Sequence, residues 1–77
     1  MNAALYARLS KADREAGDSL EAQLDECREL AEREGYKIVG DPYTDDGVSG
    51  NTLIEARPGL SAALAAAKLG QFERLVM

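Results

Sequence analysis

The chain has 77 residues, a formal net charge of −5 and no histidine. This length allows one domain at most, and no apolar run approaches the roughly 20 residues of a membrane-spanning helix. A Ser-His-Asp triad and a histidine-ligated metal site are both excluded, and the acidic charge is unusual for a free-standing nucleic-acid binder.

The first half of the chain predicts a strand, a loop and an amphipathic helix. The apolar run AALYARL over 3–9 indicates a buried strand, and the polar stretch SKADREAGDS over 10–19 indicates a mobile loop. Asp18 or Ser19 is expected to cap the next helix, with Asp18 and Glu21 at the spacing of a capping box. Gly35 is placed to end that helix. The apolar face of this helix is expected to contain Leu20, Leu24, Cys27, Leu30 and Ala31.

The second half predicts a strand, a long loop, a helix and a final strand. YKIVGDPY over 36–43 has the composition of a strand, TDDGVSGNTLIEA over 44–56 that of a loop, and FERLVM over 72–77 that of a third strand. Pro58 suits the first turn of a helix that ends at Gly70. The apolar face of this helix is expected to contain Leu60, Ala63, Leu64 and Ala67.

The predicted order βαβαβ favours an α/β fold with a three-stranded, mainly parallel sheet, because crossovers of this kind join parallel strands. Open parallel sheets bind ligands at the carboxyl ends of their strands. Ser10 and the 44–56 loop both lie at that end of the predicted sheet.

Arg8 and Ser10 are two residues apart at the end of the first predicted strand. Side chains alternate along a strand, so this pair shares a face, with about 7 Å between the two backbone positions. A partly buried arginine beside a hydroxyl suggests an anion-binding place. By spacing alone, an ordinary solvated strand end explains Arg8 and Ser10 equally well. Arg57 and Gln23 are likewise explained as ordinary surface residues.

Two other short motifs do not fit their patterns. GVSGN over 47–51 resembles a hydrolase nucleophile elbow, but its last position is wrong, it follows a loop, and no histidine can serve it. DPYTDDG over 41–47 has Asp46 where a calcium-binding loop requires glycine. Cys27 is expected to be a core residue, and Tyr6 is expected to pack at the strand end.

Four blocks of the sequence together resemble the N-terminal catalytic domain of serine site-specific recombinases, a family of resolvases, invertases and large phage-type integrases. The blocks are YARLS (6–10), SLEAQ (19–23), YTDDGVSG (43–50) and ARPGL (56–60), and they occur in the family's order and spacing. They span nearly the whole chain. DGVSG and RPGL look more like the large serine recombinases than the short resolvases.

The resemblance implies a role for each matching residue. Ser10 matches the nucleophile that attacks a DNA phosphodiester and forms a phosphoserine link to the 5′ end. Arg8 and Arg57 match arginines that bind this phosphate. Three further residues match polar groups around the site: Gln23, Asp45 and Ser49. Neither a metal nor another cofactor is expected.

The family's further Asp-Arg…Arg cluster, its dimerisation helix and its DNA-binding domains do not occur within these residues. We therefore expect residues 1–77 to be an incomplete, resolvase-like catalytic domain, inactive when isolated. The parent would act on DNA as a dimer or tetramer, in the cytoplasm and without a membrane. The single cysteine agrees with a reducing compartment. The alternatives are a recombinase remnant and a non-enzymatic α/β assembly module in which Arg8 and Ser10 are incidental.

Overall fold

The computed structural model describes residues 1–47 and 56–77. It contains four strands and three helices in the described residues: β1 (Asn2–Leu9), α1 (Lys11–Glu15), α2 (Leu20–Arg33), β2 (Lys37–Ile38), β3 (Tyr43–Asp46), α3 (Pro58–Lys68) and β4 (Arg74–Val76). The α/β class and the parallel sheet predicted from the sequence are confirmed. Within the described residues, no helix has the length and apolar character needed to cross a membrane.

The strand β1 is the centre of the sheet and pairs in parallel with β2, β3 and β4. The carbonyls of Ala3 and Leu9 accept from the amides of Val39 and Gly47, whereas the carbonyl of Asn2 accepts from Glu73. Alternate carbonyls of a strand point to opposite edges. The strands β2 and β3 therefore follow one edge of β1, and β4 follows the other.

The single strand predicted over 36–43 is wrong, because β2 and β3 are separate. Ala3 pairs with Ile38 and Tyr6 pairs with Tyr43. From the first pair to the second, β1 advances by three residues and the partner chain advances by five. The register therefore shifts by two residues between β2 and β3. The strand β3 also continues into the predicted 44–56 loop and places Asp45 opposite Arg8.

The helices cover both faces of β1. Ala3, Leu5 and Ala7 pack with α2 residues in one buried cluster, and Ala4 packs with α3 residues and Phe72 in another. Burial on both faces is typical of a parallel strand between two helical layers. In α2 the buried residues are Leu24, Cys27 and Ala31, with Leu20 half-buried and Leu30 exposed. In α3 they are Leu60, Ala63 and Ala66, so the prediction for Leu64 and Ala67 is wrong.

The helix α1 replaces the first part of the predicted mobile loop. Ser10 and Asp13 form a capping box, in which each side chain accepts from the other residue's backbone N–H. This exchange satisfies two amide donors and stabilises a turn of helix too short to show periodicity. Ser19 caps α2 by accepting from Ala22, so a capping box on Asp18 is also wrong. Gly35, at a φ of 75°, follows α2 in the left-handed conformation that ends many helices.

Candidate active site

The first part of the site is the start of α3, which is held by a carboxylate from the sheet. Arg57 is the N-cap residue of α3 and makes no side-chain capping hydrogen bond. The Asp45 carboxylate of β3 instead accepts from the backbone N–H of Gly59 at 2.7 Å and of Leu60 at 3.0 Å. A negative charge at a helix N-terminus is favourable, because the unpaired amides and the helix dipole point at it. Asp45 thus fixes α3 to the end of β3.

This arrangement requires a glycine at position 59. A Cβ there would overlap the carbonyl oxygen of Thr44 and lie 2.7 Å from its carbonyl carbon and 3.0 Å from Asp45 Oδ1. The close approach of α3 to β3 therefore depends on the glycine of the ARPGL block.

Tyr6 connects this helix start to β1. Its hydroxyl donates to Asp45 Oδ2 at 2.8 Å and accepts from Arg57 Nη2 at 2.9 Å. The Arg57 guanidinium carbon also lies 5.5 Å from the centre of the Tyr6 ring, within the range of a cation–π contact. Tyr6 and Asp45 are buried. Tyr6 therefore orients the Arg57 side chain through both its hydroxyl and its ring.

The pKa values of Asp45 and Tyr6 are shifted in opposite directions. Burial raises the pKa of Asp45, but hydrogen bonds from Gly59, Tyr6 and Leu60, together with the charge of Arg57, lower that pKa by more. Burial also raises the pKa of Tyr6, and the neighbouring Asp45 raises it further, against the opposing effect of Arg57. The aspartate is therefore ionised and the tyrosine neutral at physiological pH.

A cavity of about 240 Å³ lies beside this network and is lined by Tyr6, Arg8, Gln23, Arg57 and Met77. Gln23 of α2 accepts from the backbone N–H of Arg8 at 3.3 Å, which joins α2 to the end of β1. The buried Nε of Arg57 has no hydrogen-bond partner within the described part of the chain. A cavity lined by two arginines is suited to an oxygen-rich anion.

Ser10 lies directly after β1 and does not line this cavity. Its hydroxyl donates to Asp13 Oδ2 at 2.8 Å, and its Oγ accepts from the Asp13 backbone N–H at 3.0 Å. The same Asp13 oxygen lies 3.5 Å from Arg8 Nη1. Arg8 therefore lines the cavity and also contacts the hydrogen-bonded pair of Ser10 and Asp13.

The structure brings four of the six predicted site residues into one neighbourhood. Arg8, Gln23 and Arg57 share the cavity, and Ser10 adjoins Arg8. Asp45 supports Arg57 through Tyr6 and does not line the cavity. Ser49 lies outside the described residues.

Sequence reasoning missed Tyr6 and Asp13 as members of the site. A signal existed for both. Tyr6 shares the alternation of Arg8 and Ser10 along β1, and Ser10 with Asp13 has the S-x-x-D spacing of a helix start. The bond from Tyr6 to Asp45 spans 39 positions and leaves no local pattern.

A comparison with protein families finds that residues 3–77 match the model described as "Resolvase, N terminal domain". No match was found among curated proteins or among solved structures.

Proposed function

This chain belongs to the resolvase N-terminal domain family, which acts on DNA in site-specific recombination, and we propose that Ser10 is its nucleophile. Ser10 Oγ would attack a DNA phosphodiester and form a phosphoserine link to the 5′ end. Arg8 and Arg57 would hold the phosphate, and Gln23 would fix the end of β1 beneath it. Ser49 is proposed to complete the polar surroundings, and Asp45 to hold Arg57 in place.

The observation that supports this proposal best is the cavity shared by Arg8 and Arg57. The two arginines are 49 positions apart by their numbers, yet both line one space at the carboxyl end of β1. Open parallel sheets bind ligands at this end of their strands. Ser10 follows within two residues of Arg8, so a phosphate in the cavity would have a hydroxyl at its border.

The chain has no histidine, and the proposed chemistry needs neither a histidine nor a cofactor. Phosphoryl transfer depends mainly on positioning and on stabilising charge at the phosphate oxygens, and guanidinium groups do both. Loss of one such donor typically costs about 3–4 kcal/mol of transition-state stabilisation. The phosphoserine ester conserves the energy of the phosphodiester bond, so strands can be rejoined without a nucleotide.

We further propose that residues 1–77 form the first part of a recombinase catalytic domain and act within a longer polypeptide. The net charge of −5 gives residues 1–77 little attraction for DNA, because affinity comes largely from cations that neutralise phosphates. Basic segments elsewhere would supply most of the affinity. The isolated residues would have little activity, and the parent would act in the cytoplasm as a dimer or tetramer.

The proposal is tested by covalent adduct formation on DNA in the polypeptide that contains this chain. Ser10→Ala should abolish adducts resistant to denaturant while DNA binding persists. Ser19→Ala is the matched control, because it also removes a helix-capping hydroxyl, at α2, and should retain adducts. Adducts that survive in Ser10→Ala would move the nucleophile elsewhere. No adduct in the unchanged protein would favour an assembly module.

A further inference from the structure

Asp13 contacts the proposed nucleophile through a single carboxylate oxygen. Oδ2 accepts from the Ser10 hydroxyl at 2.8 Å and from the Ser10 backbone N–H at 3.0 Å. Arg8 Nη1 lies 3.5 Å from the same oxygen. The hydroxyl hydrogen of Ser10 is thus directed at a carboxylate whose position is fixed from two other sides.

We propose that Asp13 is a further catalytic residue, the general base that takes the proton from Ser10 as this serine attacks DNA. This inference rests on the proposed function, since it names the partner of the proposed nucleophile.

The chemistry requires such a partner. A serine hydroxyl is a weak nucleophile and is activated by an adjacent base, which a third group orients. Histidine, the most frequent base, does not occur in the chain. Asp13 satisfies the geometric condition of a base within about 2.6–3.2 Å of the proton it removes. Arg8 and the Ser10 amide serve as its orienting groups. An aspartate takes the hydroxyl proton in the same way in protein kinases.

The step balances without a cofactor. The Ser10 Oγ–P bond forms while the P–O3′ bond breaks, and the serine proton moves to Asp13 Oδ2. Asp13 then releases that proton to water, and the departing 3′ oxygen takes a proton from water. The reverse step, in which a 3′ hydroxyl attacks the phosphoserine, returns the proton to Ser10 through Asp13.

The charges around Asp13 keep it ionised and let its basicity rise when DNA binds. Hydrogen bonds from the Ser10 backbone and side chain lower the pKa of Asp13, and the charge of Arg8 lowers it further. Arg8 is the charged group that faces Asp13 from β1. Arg14 of α1 pairs with Asp46 of β3, and α2 contributes the neutral Gln23 near Arg8. A phosphate on Arg8 would offset its positive charge and raise the pKa of Asp13.

The capping box offers a purely structural explanation of the same contacts, and Asp13→Asn separates the two. An asparagine side chain keeps an oxygen that can accept from the Ser10 N–H, so the cap at α1 can remain. The amide cannot take a proton at neutral pH. The variant therefore removes the base and preserves the helix start.

The test measures the rate of covalent adduct formation at saturating DNA, in the polypeptide that contains this chain, between about pH 5.5 and 9. Four proteins are compared: the unchanged protein, Asp13→Asn, Asp13→Glu and Asp25→Asn. Asp25 lies on the exposed surface of α2 in an ion pair with Arg28, so its replacement makes the same chemical change away from Ser10. Circular dichroism verifies that each variant folds.

We expect Asp13→Asn to slow adduct formation about a hundredfold or more, the usual contribution of a general base. Its rate should rise with pH, because hydroxide must replace the lost carboxylate, whereas the unchanged protein should show little pH dependence. Asp13→Glu should recover part of the rate, and Asp25→Asn should retain it.

A rate for Asp13→Asn within about threefold of the unchanged protein would overturn the inference, as would a slower rate with an unaltered pH profile. Either result leaves the nucleophile in place. The absence of adducts in both the unchanged protein and Asp25→Asn would instead contradict the proposed function.

Discussion

The phenol of Tyr6 and the carboxylate of Asp45 meet in a buried hydrogen bond of 2.8 Å. The same phenol accepts from Arg57, and the same carboxylate accepts from the first amides of α3. One pair of side chains thus connects β1, β3 and α3 at the edge of the cavity. This pair sets the position of Arg57.

Asp45→Asn should destabilise the protein by about 1.5–3 kcal/mol, the usual value of a hydrogen bond to a charged group. The NH2 group of asparagine would face a backbone N–H of Gly59 or Leu60, which needs an acceptor and not a second donor. Denaturant unfolding measures the change. Asp46→Asn is the control at the next position, because Asp46 forms an exposed ion pair with Arg14, and exposed pairs contribute little to stability. Equal losses in the two variants would show that the buried Asp45 contacts stabilise the protein no more than an exposed ion pair does.

Gly59→Ala should destabilise the protein by about 1–3 kcal/mol, because the new methyl group overlaps the Thr44 carbonyl. Helix propensity alone predicts the opposite sign, a gain of about 1 kcal/mol. Ala62→Gly, at an exposed position of the same helix, measures the propensity effect alone and should cost about 1 kcal/mol. Thermal unfolding reports both. A more stable Gly59→Ala would mean that α3 and β3 lie further apart.

Tyr6→Phe should remove the hydroxyl that orients Arg57 while keeping the aromatic ring. We expect a loss of about 1–2 kcal/mol in unfolding free energy, and adduct formation about tenfold slower or more, since a misplaced phosphate ligand costs rate steeply. Tyr36→Phe makes the same change near β2 and should leave the rate unaltered. A normal rate in Tyr6→Phe would show that Arg57 needs no support from the phenol.

Stability should fall in acid through Asp45. Its folded-state pKa is below the ordinary value, so the unfolded chain takes up the proton first as the pH falls. The contribution is complete above the ordinary aspartate pKa and is lost as the pH drops through the folded-state value. Urea unfolding between about pH 6 and 2.5 should show a shallower decline for Asp45→Asn. Parallel declines would contradict the assignment.

Local patterns in the sequence were sufficient for most of the fold. Apolar runs and helical spacing predicted β1, α2 and α3, and the ordered blocks led to the hypothesis that Ser10, Arg8 and Arg57 belong to the site. They failed where the determinant is distant. Asp45 looks like a loop residue in the sequence, because its partners Gly59 and Leu60 lie 14 and 15 positions further along the chain. The separation of β2 from β3 depends on pairing with β1, which has no local signature. The start of α1 has a signal in the spacing of Ser10 and Asp13, but the helix is too short to show a repeating pattern of apolar residues.

The most direct test of the account is the identity of the residue that carries DNA in the trapped adduct. The adduct is digested with nuclease and with a glutamate-specific protease, and the peptides are sequenced by mass spectrometry. Cleavage after glutamate places the serines in different peptides, with Ser10 in 1–15, Ser19 in 16–21, Ser49 in 35–55 and Ser61 in 56–73. The account predicts a nucleotide linked through phosphate to Ser10 in peptide 1–15. A nucleotide on any other residue, with Ser49 the nearest alternative, would contradict it.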